Sequence, residues 1–491
     1  MPISTFKDVK SFLFDNLSTR QTIFKNTFWL GLAEGFGKLS KLVLLIYVAK
    51  ILGATEYGKF SFALAFVGLF GVVASLGLSR IVVRELASGQ EKEKEISSLL
   101  FLRILLSLVA LALILSGSFF VTQEPLIRKV IWILGLYFLL DTFASFLNFF
   151  FQARQKMEYE SWTRILRALA LTGLGLFVIF SFPSLVNLSY AYLAASLIAL
   201  ILVLIFFHIK VAALSLSFNK SIWRDYLAMS WPLALSAFFA MVYGQIDSVI
   251  MGYLNQLTQT GWYNAAYRVV GGVLIPIGLV STSFYPALSR AFKESREKLQ
   301  KIWNYQSELM LFLALPMTVG GIILAPKIID FIYDQTYVSS VLAFQILIVM
   351  AGIAFLQSPF SSMLLIFNQQ TKFLWSGLLG AAVNIGLNLF LIPRYSLYGA
   401  ALAAVITAAV VLFLYVWLTL RFTSARIFNL RFLGTGLLAA LSTLIMYFVI
   451  TIPGVYNLNV VFSIIIGALI YFAVFFAAKF TLGYTKPFFR I

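Results

Sequence analysis

Apolar runs of about twenty residues or more recur from one end of this chain to the other, and they leave it few ways to fold. At 1.5 Å per residue, about twenty helical residues cross a ~30 Å hydrocarbon core. Inside that core every backbone amide must find its partner within the protein, so such runs dictate membrane-spanning helices. Fourteen spans are read: 27–51, 60–84, 97–119, 128–151, 162–182, 187–209, 227–252, 262–289, 305–325, 338–367, 373–393, 396–420, 431–452 and 457–479. The composition agrees. Of 491 residues 61% are hydrophobic and only 11% are charged, where a soluble domain would be nearer a quarter charged. No connection runs much beyond about 20 residues, which leaves no room for a soluble catalytic domain.

The net charge of +18 follows membrane topology rather than a nucleic-acid surface, because the basic residues flank the apolar runs. With the N-terminus inside, roughly 23 Lys and Arg fall in inner connections and about 6 in outer ones. The inner set includes Arg154, Lys156, Arg290, Lys293, Arg296, Lys298 and Lys301. An even number of spans returns the C-terminus to the cytoplasm, so a multi-pass protein of the cytoplasmic membrane is expected. Residues 1–26 carry Lys7, Lys10, Arg20 and Lys25 in an amphipathic pattern, with no cleavable signal, and are expected along the inner surface. With no cysteine, disulfides, thiolate catalysis and cysteine metal sites are excluded. The single histidine, His208, ends an apolar run and reads as interfacial.

The chain resembles itself. LGATEYGKFSFALAF, with Leu52, Gly58 and Phe60, is echoed about 200 residues later by LNQLTQTGWYNAAYR, with Leu254, Gly261 and Tyr263. A second echo joins the turn around Pro183 to that around Pro393, where each proline breaks a helix. The expected organisation is a six-helix lobe at 27–209, a cytoplasmic linker at 210–226 and a second lobe at 227–420. An appended pair at 431–480 and a tail at 481–491 follow. The appended pair, apolar and free of interior charge, is expected against lipid or beside a lateral opening.

Charges inside spans are the expensive residues, at roughly 2.5–3.5 kcal/mol each near the midplane. Glu34, Lys38 and Lys41 lie at i, i+4 and i+7 in one span and so share a helix face. Unrelieved, the three would cost about 7–10 kcal/mol, which places that face toward a water-filled cavity. A structural Glu34–Lys38 pair, with Lys41 met by a neighbouring helix, is the competing account. Gly31, Gly35 and Gly37 would admit a helix or a substrate close to the backbone. Arg84, Arg103, Arg164 and Glu308 sit within about two turns of the inner surface, where snorkelling accounts for them. Arg80 and Arg167 lie a turn deeper, where the two accounts balance. Asp141 is near the midplane; Asp247 and Arg268 lie toward the outer third on consecutive helices. The basic excess, at inner and middle depth, suits an anionic substrate taken up from the cytoplasm. Phe149, Phe150 and Phe151 read as lipid-facing packing rather than a sugar platform. Gly31–Lys38 misses the phosphate-loop spacing by one residue, and no loop pairs two carboxylates for glycosyl chemistry.

Three stretches resemble the polysaccharide flippases of the Wzx type, within the multidrug/oligosaccharidyl-lipid/polysaccharide exporter superfamily. They are LGATEYGKFSFALAFVGLFGVVASLGLSRIVVREL (52–86), QIDSVIMGYLNQLTQTGWYNAAYRV (245–269) and NIGLNLFLIPRYSLYGAALAAVI (384–406). The resemblance implies an all-α, V-shaped bundle of two pseudo-twofold six-helix lobes, and a transporter rather than an enzyme. It implies alternating access that moves a polyprenyl-diphosphate-linked oligosaccharide to the outer leaflet for surface glycan assembly. Lys38, Lys41, Arg80 and Arg268 would then receive the diphosphate. Glu34, Asp141 and Asp247 would hold those cations or bind a coupling ion, H+ or Na+. No cofactor, metal or nucleic acid is implied. Partners would be the lipid-linked substrate, membrane lipids and a polysaccharide polymerase or glycosyltransferases. A lipid II-type precursor flippase and a cation-coupled multidrug exporter are the alternatives; a membrane glycosyltransferase would need a larger outer loop.

Overall fold

In a computed structural model of the protein, residue 14 and residues 16–86, 93–211, 216–423 and 430–481 are described, and among these every regular element is a helix. Much of the expected N-terminal surface segment, residues 212–215 of the linker and 482–491 of the tail lie outside the described residues. Twelve helical stretches among those described are long and apolar enough to cross a membrane, so the chain is a multi-pass membrane protein. It divides into two compact units, Met1–Tyr253 and Leu254–Ile491.

The first unit contains α1 (Thr19–Leu69), α2 (Gly71–Ser75), α3 (Leu78–Leu86), α4 (Glu93–Val121), α5 (Pro125–Ala153), α6 (Met157–Ser181), α7 (Leu185–Lys210) and α8 (Lys220–Tyr253). Ser18 caps α1 by accepting from Gln21 N–H, and the Gln21 side chain accepts in return from Leu17 N–H. Lys25, fully buried one turn further on, pairs with Glu158 at 3.0 Å and donates to Asn16 Oδ1 at 2.7 Å. At Gly53 the helix departs from helical geometry, with φ 76° and ψ 171°.

The stretch 60–84, read as one span, is broken. It stops at Phe70, resumes as α2, and turns through Leu76 (φ 38°) and Gly77 (φ 71°) before α3. Arg103 explains how the membrane tolerates the break. Its side chain is 3% exposed, donates to Ala74 O and to Thr142 O (2.9 Å), and lies over the Phe146 ring. Arg103 therefore does not snorkel; it satisfies a carbonyl at the end of α2. Phe150 and Phe151 are likewise not lipid-facing. Both are buried in a core with Leu78, Val82, Phe146 and Phe207.

The second unit contains α9 (Leu257–Val273), α10 (Ile275–Glu294), α11 (Arg296–Tyr333), a 3-10 turn (Gln335–Tyr337), α12 (Ser340–Ile366), α13 (Gln370–Phe422), α14 (Leu430–Thr451), α15 (Pro453–Tyr456) and α16 (Val460–Thr481). The stretch 262–289 is interrupted at Leu274, before Pro276. Within α13, Ser396 leaves helical geometry at φ 51°, three residues after Pro393. Glu308, expected to snorkel, is fully buried. The C-terminal helices do not rest on lipid alone. Tyr471 donates to Phe312 O at 2.8 Å, and Phe475 and Met446 join Phe312 in one cluster with α11. Their outer faces still expose Leu437, Leu441, Phe448 and Phe462.

The internal echo reaches the backbone. Gly53, next to Leu52, and Asn255, next to Leu254, both take left-handed φ (76° and 56°). Gln155 after α5 and Asn368 after α12 do the same (55° and 57°). There the two turns share a hydrogen-bond pattern: Gln155 N–H to Gln152 O with Lys156 N–H to Phe151 O, and Asn368 N–H to Leu365 O with Gln369 N–H to Leu364 O.

Candidate functional site

Inside the first unit, α1, α5 and α6 enclose a cavity of about 400 Å³. Helix α1 contributes Ala33, Glu34, Gly37, Lys38 and Lys41, spaced so that all lie on one face. Helix α6 contributes Arg164, Arg167, Ala168, Leu171 and Thr172, and α5 contributes Tyr137 and Ser145. Room comes from small side chains. No heavy atom lies within 4 Å of where a Cβ on Gly31, Gly35 or Gly37 would stand, so no helix presses on these glycines.

The wall is a chain of ion pairs. Lys38 Nζ lies 3.1 Å from Glu34 Oε1, and Arg164 reaches Glu34 Oε2 at 3.4 Å and Glu160 Oε1 at 2.6 Å. Gln152 Nε2 also donates to Glu160 Oε1, at 2.8 Å. Deeper, Arg167 pairs with Asp141 at 2.5 Å. Lys38 and Glu34 are more than half exposed, at 58% and 54%, whereas Glu160 and Asp141 are 0% and 13% exposed. Lys41 is exposed and lines the same space. Four cations thus meet three carboxylates, and such an excess in a low-dielectric wall attracts anions. Among the described residues no group of three or more His, Cys, Asp or Glu could hold a metal ion.

The structure brings Glu34, Lys38 and Lys41 together with Asp141, which reaches the cavity through Arg167. Two other candidates are elsewhere. Asp247 is buried on α8, and Arg268 is half-buried on α9 of the second unit; neither lines this cavity. The backbone of Arg80 is in α3, and its side chain lies outside the described residues. Arg164, expected to snorkel, lines the cavity instead; Arg167, for which the two accounts balance, lines it too, and Tyr137 joins them with no sequence signal of its own. A signal for the two arginines exists in the sequence: Glu160, Arg164 and Arg167 repeat the acid–base–base spacing i, i+4, i+7 of Glu34, Lys38 and Lys41.

The family described as polysaccharide biosynthesis protein matches residues 23–292. The chain is 22% identical over 395 residues to the probable low-salt glycan biosynthesis flippase Agl15 of Haloferax volcanii, covering 78% of this chain and 80% of that protein. In fold it is similar to lipid II flippase MurJ in an inward closed conformation, with TM-score 0.76 and 16% identity over 92% of this chain and 99% of that one. An inward-facing multidrug resistance transporter of the MATE family, in the MOP superfamily, gives TM-score 0.62 at 17% identity, over 79% and 94% of the two chains.

Proposed function

Because the chain belongs to the polysaccharide biosynthesis protein family, we propose that it is a flippase moving a polyprenyl-diphosphate-linked oligosaccharide from the inner to the outer leaflet. The observation that carries this reading is the cationic cavity between α1, α5 and α6. Lys38, Lys41, Arg164 and Arg167 offer donors for a diphosphate, while the lipid tail remains in the bilayer. A cation-coupled drug exporter would gain nothing from that sign of charge. A lipid II-type precursor carries the same diphosphate, and the family and the glycan flippase relative favour the oligosaccharide over it.

The reading includes fourteen spans. A helix of 51 residues would extend ~77 Å, and one of 53 ~80 Å, against a core of ~30 Å. Each is therefore two spans joined at its non-helical residue, Gly53 or Ser396. Two six-helix lobes at 27–209 and 227–420 are the repeating units, with both termini cytoplasmic and transport by alternating access.

Flipping of a fluorescent polyprenyl-diphosphate oligosaccharide in proteoliposomes tests the proposal. Wild type is expected to flip it, and Lys38→Ala/Lys41→Ala, folded, to lose that activity. Folded wild type that leaves the lipid in its original leaflet would sink the reading. Unchanged flipping by the double variant would make the two lysines structural.

A further inference from the structure

Two of the three carboxylates around the cavity are fixed in its wall, and one is not. Glu160 is buried and held by both Arg164 and Gln152, and Asp141 is largely buried against Arg167. Glu34 is 54% exposed, and its two oxygens serve different helices: Oε1 faces Lys38 on α1, and Oε2 faces Arg164 on α6. Two oxygens of one anionic group, each turned to a cation from a different helix, make the contact set that a phosphate oxyanion seeks.

We infer that Glu34 is a resident counter-ion, whose carboxylate holds the anion position between Lys38 and Arg164 until the substrate's diphosphate displaces it. The inference rests on the lipid-diphosphate reading above. Charge supports it. With Glu34 in place, four cations meet three carboxylates and one positive charge is in excess. With Glu34 turned out, the excess is two, which equals the charge of a diphosphate diester. Arg164 itself would not follow the carboxylate away, because Glu160 holds its other nitrogen at 2.6 Å.

Displacement has a mechanical side too. The Glu34–Arg164 contact ties α1 to α6 through protein atoms. Binding replaces that tie by one through the substrate, and return of the Glu34 carboxylate helps to expel the diphosphate afterwards. Glu34 is thus a positioning and release residue, and it opposes binding where Lys38 and Lys41 promote it. A residue that merely orients Lys38 would do the reverse: its loss would weaken binding.

The test is binding of farnesyl-diphosphoryl-N-acetylglucosamine, a soluble diphosphate diester, to the full-length protein in nanodiscs by titration calorimetry. Glu34→Gln is expected to bind on the order of tenfold more tightly than wild type, with the gain shrinking toward about 0.5 M salt. Its flipping in proteoliposomes is expected to slow. Glu34→Asp, which keeps the charge, is expected to bind much as wild type does. If the glutamine variant does not fold, Glu34→Ser removes the same carboxylate and is read the same way. Wild type that binds the probe while the neutral variants bind equally or more weakly overturns the inference and leaves the substrate reading standing. Folded wild type that does not bind the probe overturns the substrate reading, and the inference with it.

Discussion

At the residue scale, the cavity separates charges that sit in the wall from charges that face the space. Asp141 and Arg167 belong to the wall, and they are worth most as a pair. Removing one partner leaves the other uncompensated in a poorly solvated site. Asp141→Asn is therefore expected to cost about 1–3 kcal/mol, since Arg167 is still 31% exposed. Thermal unfolding in detergent reads this, and Asp141→Asn/Arg167→Gln should recover part of the loss; strictly additive effects would show the two groups to be uncoupled. Glu34, Lys38 and Lys41 could be read from sequence because three charges on one face of an apolar span have few places to go. Arg103 and Arg164 could not be read in that way. Depth along the helix says nothing about which face a side chain takes or what meets it. One partner of Arg103 is a carbonyl 29 residues away, exposed by a break in another helix.

At the scale of elements, the span limits were legible because apolar runs announce them, and the breaks were legible only in part. Pro393 announces the departure at Ser396, and Pro276 stands beside the interruption at Leu274. The break at 70–77 has no proline. It depends on Gly77, whose φ of 71° suits a residue without a side chain, and on the Arg103 clamp. A Cβ on Gly77 would stand 2.7 Å from Ser230 O and 2.8 Å from Ala234 N, both backbone atoms of α8. Gly77→Ala is thus expected to destabilise the protein by about 2 kcal/mol or more, combining left-handed strain with a backbone clash. A melting temperature equal to wild type would contradict the close packing of this turn against α8. The turn at Gln155 predicts the opposite sign. Its residue takes φ 55°, and its hydrogen bonds are made by the backbone, so Gln155→Gly should keep the turn and relieve strain. A gain of up to about 1 kcal/mol is expected in the same assay, since the freedom that glycine adds to the unfolded chain offsets part of the relief.

At the scale of the whole molecule, the charge of the proposed cargo decides what would drive its transport. A diphosphate diester carries two negative charges. Moving them outward through an inside-negative potential of 100 mV is favourable by about 4.6 kcal/mol. Whether that energy is available depends on what travels with the substrate. If Lys38, Lys41, Arg164 and Arg167 crossed the field with it, the moving charge would be neutralised or reversed. The wall argues against that: Arg167 and Arg164 are pinned by Asp141 and Glu160, so in the proposed mechanism these two cations stay in the lining while the diphosphate moves. Outward flipping in proteoliposomes should accordingly accelerate when a potassium gradient with valinomycin sets the inside negative, and slow when the polarity is reversed. Lys38→Ala should lower the rate without changing that polarity, because it alters the lining and not the charge of the cargo. Flipping that ignores a clamped potential would mean that the cations move with the diphosphate, and would leave a coupling ion to supply the driving force.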